Sequence, residues 1–174
     1  MKNQVQIKNN NFCGEGMKVI NSTLLIVRKN GKLLLGRKKR GFGEGKYNGV
    51  GGKLEFNETP DQAMLRETME EVGIIPLNWQ KVGYIEYDEM MKGERSLVCM
   101  HLYIATDYEG EPKSSDEVEP FWFDENNLPW NEMLGDDIYW YHHMLEGKKF
   151  KAKFCFDDDF NVVSHNIDIV ENLD

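Results

Sequence analysis

The sequence predicts an α/β (α+β) fold in which a mixed β-sheet packs with α-helices. Three observations lead there. Aliphatic and β-branched stretches of strand length intermix with two helix-like stretches, turn signals separate the elements, and neither a repeat nor a long linker divides the chain. A chain of 174 residues suits one domain, since that length buries about 70% of the unfolded surface around a single core.

The elements follow in order. Residues 1–17 are polar and read as a tail; residues 18–174 read as the domain. Val19 to Val27 is a strand of aliphatic and β-branched residues, and Lys29-Asn30-Gly31-Lys32 is a hairpin turn that returns a second strand over Lys32 to Gly36. The stretch RKKRGFGEGKYNGVGG cannot form a regular helix. Its glycines let backbone approach a ligand closely.

Thr59-Pro60-Asp61-Gln62 then combines an N-cap, Pro at the first helical position and a capping-box Gln, and Gly73 closes the helix. On its wheel Met64, Leu65, Thr68, Met69 and Val72 share one half, and Ala63, Arg66, Glu67, Glu70 and Glu71 share the other. Strands are expected over Lys81–Asp88 and Ser96–Thr106 with a Met-Lys-Gly-Glu turn between them, then a polar loop over Thr106–Glu117 and a short strand at Pro120–Phe123. A second helix over Asp136–Glu146 ends at Gly147. The alternation of Phe150, Ala152, Phe154 and Phe156 predicts a half-buried strand, and an acidic turn at residues 157–159 leads into a last strand, Val162–Val170.

Composition excludes several classes. No apolar run approaches the roughly 18 residues of a membrane span, and the first residues carry neither a secretory nor a mitochondrial signal. Cys13, Cys99 and Cys155 are odd in number and widely spaced, which disfavours a disulfide framework or structural zinc and fits a reducing, cytoplasmic setting. His101, His142, His143 and His165 form no ligand spacing with them. A net charge of −9 argues against a duplex nucleic-acid surface, which needs clustered positive charge.

The first helix carries the chemistry. Glu67, Glu70 and Glu71 stand at i, i+3 and i+4, so three carboxylates leave one patch. Such a cluster in an arbitrary sequence is most often a solvated acidic face. Mg²⁺ offers another resolution, because it takes a few carboxylate oxygens and completes its shell with water and substrate phosphates. The neighbouring glycine-rich loop suits phosphate chemistry.

The string Gly52-Lys-Leu-Glu-Phe-Asn-Glu58, continued by Arg66-Glu67-Thr68-Met69-Glu70-Glu71-Val72-Gly73-Ile74, resembles the Nudix box, G-x5-E-x7-R-E-U-x-E-E-x-G-U with U aliphatic. Thr68 at the first U is the one departure. The resemblance implies the Nudix fold, a mixed sheet sandwiched between helices, and hydrolysis of a nucleoside diphosphate linked to another group. It implies that Glu67, Glu70 and Glu71 hold Mg²⁺, or Mn²⁺ in its place, with the carbonyl of Gly51. Arg66 would pair with Glu58 and orient the glutamates. Glu117 matches a loop glutamate that can join the metal, although an exposed loop acid is otherwise unremarkable. Glu71 is the first choice for the base that takes a proton from water, and Glu117 the second.

From about Thr23 to Val170 the chain is similar to the animal-type, MutT-related oxidized purine nucleoside triphosphate hydrolases, which include 8-oxo-dGTPase. The likeness runs through LLLGRKKRGFGEGKYNGVGGK, SDE at 115–117 and DDIYW at 136–140. By matching position, Asn48, Asp136 and Asp137 would read the purine edge, with the two acids sharing a proton unequally. The competing role for the acids is to cap the following helix. Thr23, Lys38, Phe42 and Trp140 match pocket positions, with core packing as the alternative for the two rings.

Tyr87 stands where Phe is usual. Leu134 stands where the family commonly has Trp, so an indole that would stack on the base is missing. The implied reaction splits an oxidized purine (deoxy)nucleoside triphosphate, such as 8-oxo-dGTP or 2-hydroxy-dATP, into monophosphate and pyrophosphate. A monomer is expected. The alternatives are a pyrophosphohydrolase for ADP-ribose, dinucleoside polyphosphates or unmodified nucleotides, and a catalytically silent nucleotide-binding module.

Overall fold

The computed structural model describes residues 17–91, 94–157 and 159–173, with backbone alone for residues 89–91 and 94. Residues 1–16 of the expected tail, Cys13 among them, lie outside the described residues, as do Lys92 and Gly93 of the expected turn and Asp158 of the acidic turn.

Aliphatic β1 (Lys18–Lys29) and β2 (Lys32–Lys38) form the expected hairpin. Its loop residues Asn30 and Gly31 both have positive φ, 53° and 71°, as a two-residue turn matching the strand twist requires. A short β3 (Tyr47–Asn48) ends the glycine-rich loop. Helix α1 (Pro60–Val72) starts as its local signals dictate: the Gln62 N–H donates to Thr59 Oγ1 and the Thr59 N–H to Gln62 Oε1, while Gly73 closes the helix in the left-handed region at φ 72°.

Long β4 (Ile74–Met91) and β5 (Glu94–Gly110) follow, then β6 (Val118–Asp124), a 3-10 turn at Trp130–Glu132, α2 (Asp137–Leu145), β7 (Lys149–Phe156) and β8 (Val162–Val170). The strands form one mixed sheet, β3-β2-β1-β5-β4-β7-β8, with β6 paired to β2. The β1–β5 and β4–β7 pairs are parallel and the others antiparallel.

Two boundaries differ most from expectation. β4 begins at Ile74 instead of Lys81, and β5 continues to Gly110 where a polar loop was expected from Thr106. The two extensions pair with each other, from Ile74 with Gly110 to Trp79 with Ala105. Strand state there is set by a long-range ladder that polar residues can join.

Alternate residues of β1 feed two cores on opposite faces of the sheet. Leu25 and Val27 pack with Met64 and Val72 of α1, whereas Leu24 and Ile26 belong to the cluster holding Trp140, Tyr141 and Met144 of α2. The sheet is thus sandwiched between helices. The α1 wheel needs correcting: Ala63 and Glu71 are buried, and Met69 is exposed. Ala63 is small enough to lie against the sheet at the edge of the apolar stripe, and Glu71 points toward the glycine-rich loop. Thr68 is buried as expected, its hydroxyl donating to the Met64 carbonyl one turn back. No helix among the described residues is long and apolar enough to cross a membrane.

Candidate active site

One cavity of about 300 Å³ opens between the start of β1, the glycine-rich loop, the β4–β5 face and the β7–β8 turn. Thr23, Lys38, Phe42, Asn48, Gly51, Glu71 and Asp136 all line it. Residues more than 100 positions apart are therefore gathered into one site.

The carboxylate end is built by close backbone approach. The Gly51 N–H donates to Glu71 Oε2 at 2.8 Å, and Lys38 Nζ stands 3.7 Å from Glu71 Oε1. A Cβ on Gly51 would fall 2.1 Å from the Thr23 carbonyl oxygen, and one on Gly52 would fall 2.5 Å from the Glu67 carboxylate. Backbone proximity requires glycine at 51, whereas at 52 the crowded neighbour is a side chain that can shift. Burial pushes the Glu71 carboxyl up to about 7, against the opposing pull of the Gly51 N–H and Lys38.

Arg66 organises the other acids. Its Nε and Nη2 each donate to Glu58 at 2.8 Å, and its Nη1 donates to Glu67 at 2.8 Å and Glu70 at 3.1 Å. Glu70 is 59% exposed on its side chain. Glu117 is half exposed and tied to Arg40, whose guanidinium holds its carboxyl below the ordinary range. Among the described residues no three His, Cys, Asp or Glu side chains converge closely enough to cage a cation unaided. The donor chemistry nevertheless fits a hard divalent cation. All the side chains are carboxylates, Lys38 only partly balances the buried Glu71 across 3.7 Å, and such an ion completes its shell with phosphate and water.

At the opposite end Asp136 Oδ2 accepts from the Tyr87 hydroxyl at 2.8 Å and the Trp140 indole N–H at 3.1 Å. Asp136 is the N-cap residue of α2 yet makes no side-chain cap bond, so capping does not account for it. Asp137 Oδ2 accepts the Leu134 N–H at 3.2 Å. Burial raises both carboxyls. The two side-chain donors oppose this at Asp136, whereas at Asp137 the charge of Asp136 adds to burial and pushes the carboxyl well up. The proton of the pair is therefore favoured on Asp137.

Trp140 and Asp137 are fully buried and do not line the cavity. Of the two roles expected for Trp140, core packing fits its surroundings: its indole is enclosed in the core cluster beneath α2 and donates to Asp136. Asn48 does line the cavity, with its Oδ1 accepting the Gly49 N–H at 2.7 Å. Thr23 is buried beneath it.

Phe156 and Phe160 also line the cavity, and neither was singled out from the sequence. Phe156 carried only the alternation of a strand. Phe160 follows an acidic turn and had no local signal. Its ring meets that of Phe42 at 4.9 Å between centroids.

Comparison with known proteins shows what the chain resembles. Residues 17–144 match the family model described as the NUDIX domain. An oxidized purine nucleoside triphosphate hydrolase of Danio rerio is 44% identical over 151 residues, covering 87% of this chain and 96% of that protein. Its Mus musculus namesake is 36% identical over the same shares. Among solved structures, a MutT protein from Bacillus halodurans superposes with a TM-score of 0.77 at 27% identity, covering 86% of this chain and 97% of its own.

Proposed function

This chain belongs to the Nudix hydrolases, and from that premise we propose that it hydrolyses oxidized purine (deoxy)nucleoside triphosphates to monophosphate and pyrophosphate. The observation that carries the proposal is the cavity described above. It joins a carboxylate helix at one end to a buried, doubly hydrogen-bonded Asp136 at the other. The relatives named for this activity cover nearly all of the chain, which supports the same reading.

Hydrolases of this family generally need a divalent metal ion, and we assign Mg²⁺, or Mn²⁺ in its place, to Glu67, Glu70 and Glu71 with the Gly51 carbonyl and Glu117. When bound it would neutralise phosphate charge and acidify an attacking water. The chain's own residues do the rest. Arg66, anchored on Glu58, holds Glu67 and Glu70 in place. Lys38 sets positive charge beside Glu71, where phosphates enter. Glu71, fixed by the Gly51 N–H through one oxygen, is placed to take the proton from water. Glu117 is a poorer base because it is exposed and paired to Arg40.

At the far end Asn48 and Asp136 read the purine edge. Asp137 holds its proton behind Asp136, so the pair can rearrange its hydrogen bonds to suit different oxidized edges. Such an enzyme would keep damaged nucleotides out of DNA. The reading fits a cytoplasmic monomer acting on a free nucleotide, with no role for a membrane or duplex nucleic acid.

The test is a Mg²⁺-dependent panel of 8-oxo-dGTP, 2-hydroxy-dATP, dGTP, ADP-ribose and diadenosine polyphosphate. The expected result is highest kcat/KM on the first two. A clear preference for any of the others overturns the reading.

A further inference from the structure

We propose that Phe160, in the turn between β7 and β8, supplies the aromatic face that stacks on the substrate base, paired with Phe42 of the glycine-rich loop. The inference rests on the purine reading above and adds the residue that grips the ring.

The cavity lacks an aromatic side chain at Leu134, which packs toward the loop with its Cδ2 3.8 Å from where a Gly43 Cβ would stand. A leucine there gives apolar contact without a π face. Phe160 approaches the same loop from another direction, its ring centroid 4.9 Å from that of Phe42 with the planes tilted by 57°. Both rings border the cavity. They are 36% and 52% exposed, and these large apolar surfaces would be covered by a planar base laid against the pair from the cavity side.

The backbone reinforces the placement. Phe160 has φ 60°, a left-handed conformation that bulky side chains rarely adopt. It is held there by the surrounding turn. The Phe160 N–H donates to the Asp157 carbonyl, and Asp157 Oδ1 accepts the N–H groups of Asp159 and Asn161 at 3.0 and 2.9 Å. This turn directs the ring back over the cavity. Phe156, on the last residue of β7, lines the wall beneath it.

The test uses the full chain and 8-oxo-dGMP, the expected product, measured by calorimetry. Phe160→Ala should weaken 8-oxo-dGMP binding about tenfold, as loss of one base stack does, while leaving inhibition by inorganic tripolyphosphate unchanged because that anion has no base. Phe160→Trp should retain affinity and show quenching of the new indole on binding. Phe160→Ala with wild-type affinity overturns the stack. An equal loss for tripolyphosphate also overturns it, because the turn would then be serving the loop instead of the base. A wild-type chain that neither binds 8-oxo-dGMP nor turns over 8-oxo-dGTP overturns instead the substrate reading on which the proposal rests.

Discussion

Arg66 grips both oxygens of Glu58, eight residues before it, and turns its remaining nitrogen onto Glu67 and Glu70. One cation thereby spans the loop before α1 and two acids of its exposed face. Arg66→Ala should lower kcat/KM by about 10- to 100-fold, in the range found when groups that orient metal ligands are removed. Steady-state kinetics with Mg²⁺ check this, with circular dichroism to show the fold retained.

The same pair predicts a pH dependence. Arg66 holds the Glu58 carboxyl down at about 2, against an ordinary value of 4.5. Its stabilising contribution is therefore complete above about pH 4.5 and is lost as pH falls toward 2. Glu58→Gln should lower Tm at pH 6 and close the gap with wild type near pH 2. A gap that does not change with pH would show that the ion pair is not its source.

Glu71 has the opposite sign. Burial lifts its folded pKa to about 7 from 4.5, so the folded chain binds the proton more tightly. Without metal, stability should fall as pH rises from about 4.5 through about 7. In chelator, Glu71→Gln should therefore melt higher than wild type at pH 8 and about equally at pH 4. Its kcat should drop by about 100- to 10,000-fold, as expected for loss of a general base. Melting curves at the two pH values and a Mg²⁺ assay separate the two effects.

Gly52→Ala places a Cβ against the Glu67 carboxylate. Activity should fall by about tenfold or more, as displaced metal-binding groups predict, with only a small change in Tm because the carboxylate can swing away. Gly51→Ala meets backbone instead, at the Thr23 carbonyl. It should cost about 1–3 kcal/mol of stability, typical of overpacking. Urea denaturation of both variants distinguishes the flexible neighbour from the rigid one.

Asp136→Asn should blunt the preference for 8-oxo-dGTP over dGTP, because an amide cannot accept from both Tyr87 and Trp140 at the same atom without losing its edge toward the base. Asp137→Asn should leave Tm nearly unchanged, since the favoured state at that position is already neutral. The ratio of kcat/KM for the two nucleotides and a thermal melt check the two claims.

Much of this site could be read from the residues because its signals are local. The α1 cap, the closing Gly73 and the carboxylate spacing all lie within one short stretch, where backbone geometry follows sequence directly. Glu71 was assigned to the charged half of the wheel, and only the glycine-rich loop folding against it shows that it is buried. The ladder from Ile74 to Trp79 was missed because Pro76 and Asn78 weaken its strand pattern; its partners are about 30 residues away. Sequence leaves Trp140 open between a base-facing and a core role, since a large ring serves either, and only the α2 packing favours the core. Phe160 could not be found from its neighbours, since its role comes from a turn that folds across the cavity.

The matched family domain ends at residue 144, and Phe156 and Phe160 lie beyond it. The carboxylate helix and part of the cavity wall therefore occupy different stretches of the chain. On the proposed reading, substitutions in the β7–β8 hairpin should retune which nucleobase is accepted while leaving the cleavage chemistry untouched. A polypeptide emerging from the ribosome would complete α1 about 80 residues before the last aromatic side chains of the cavity wall.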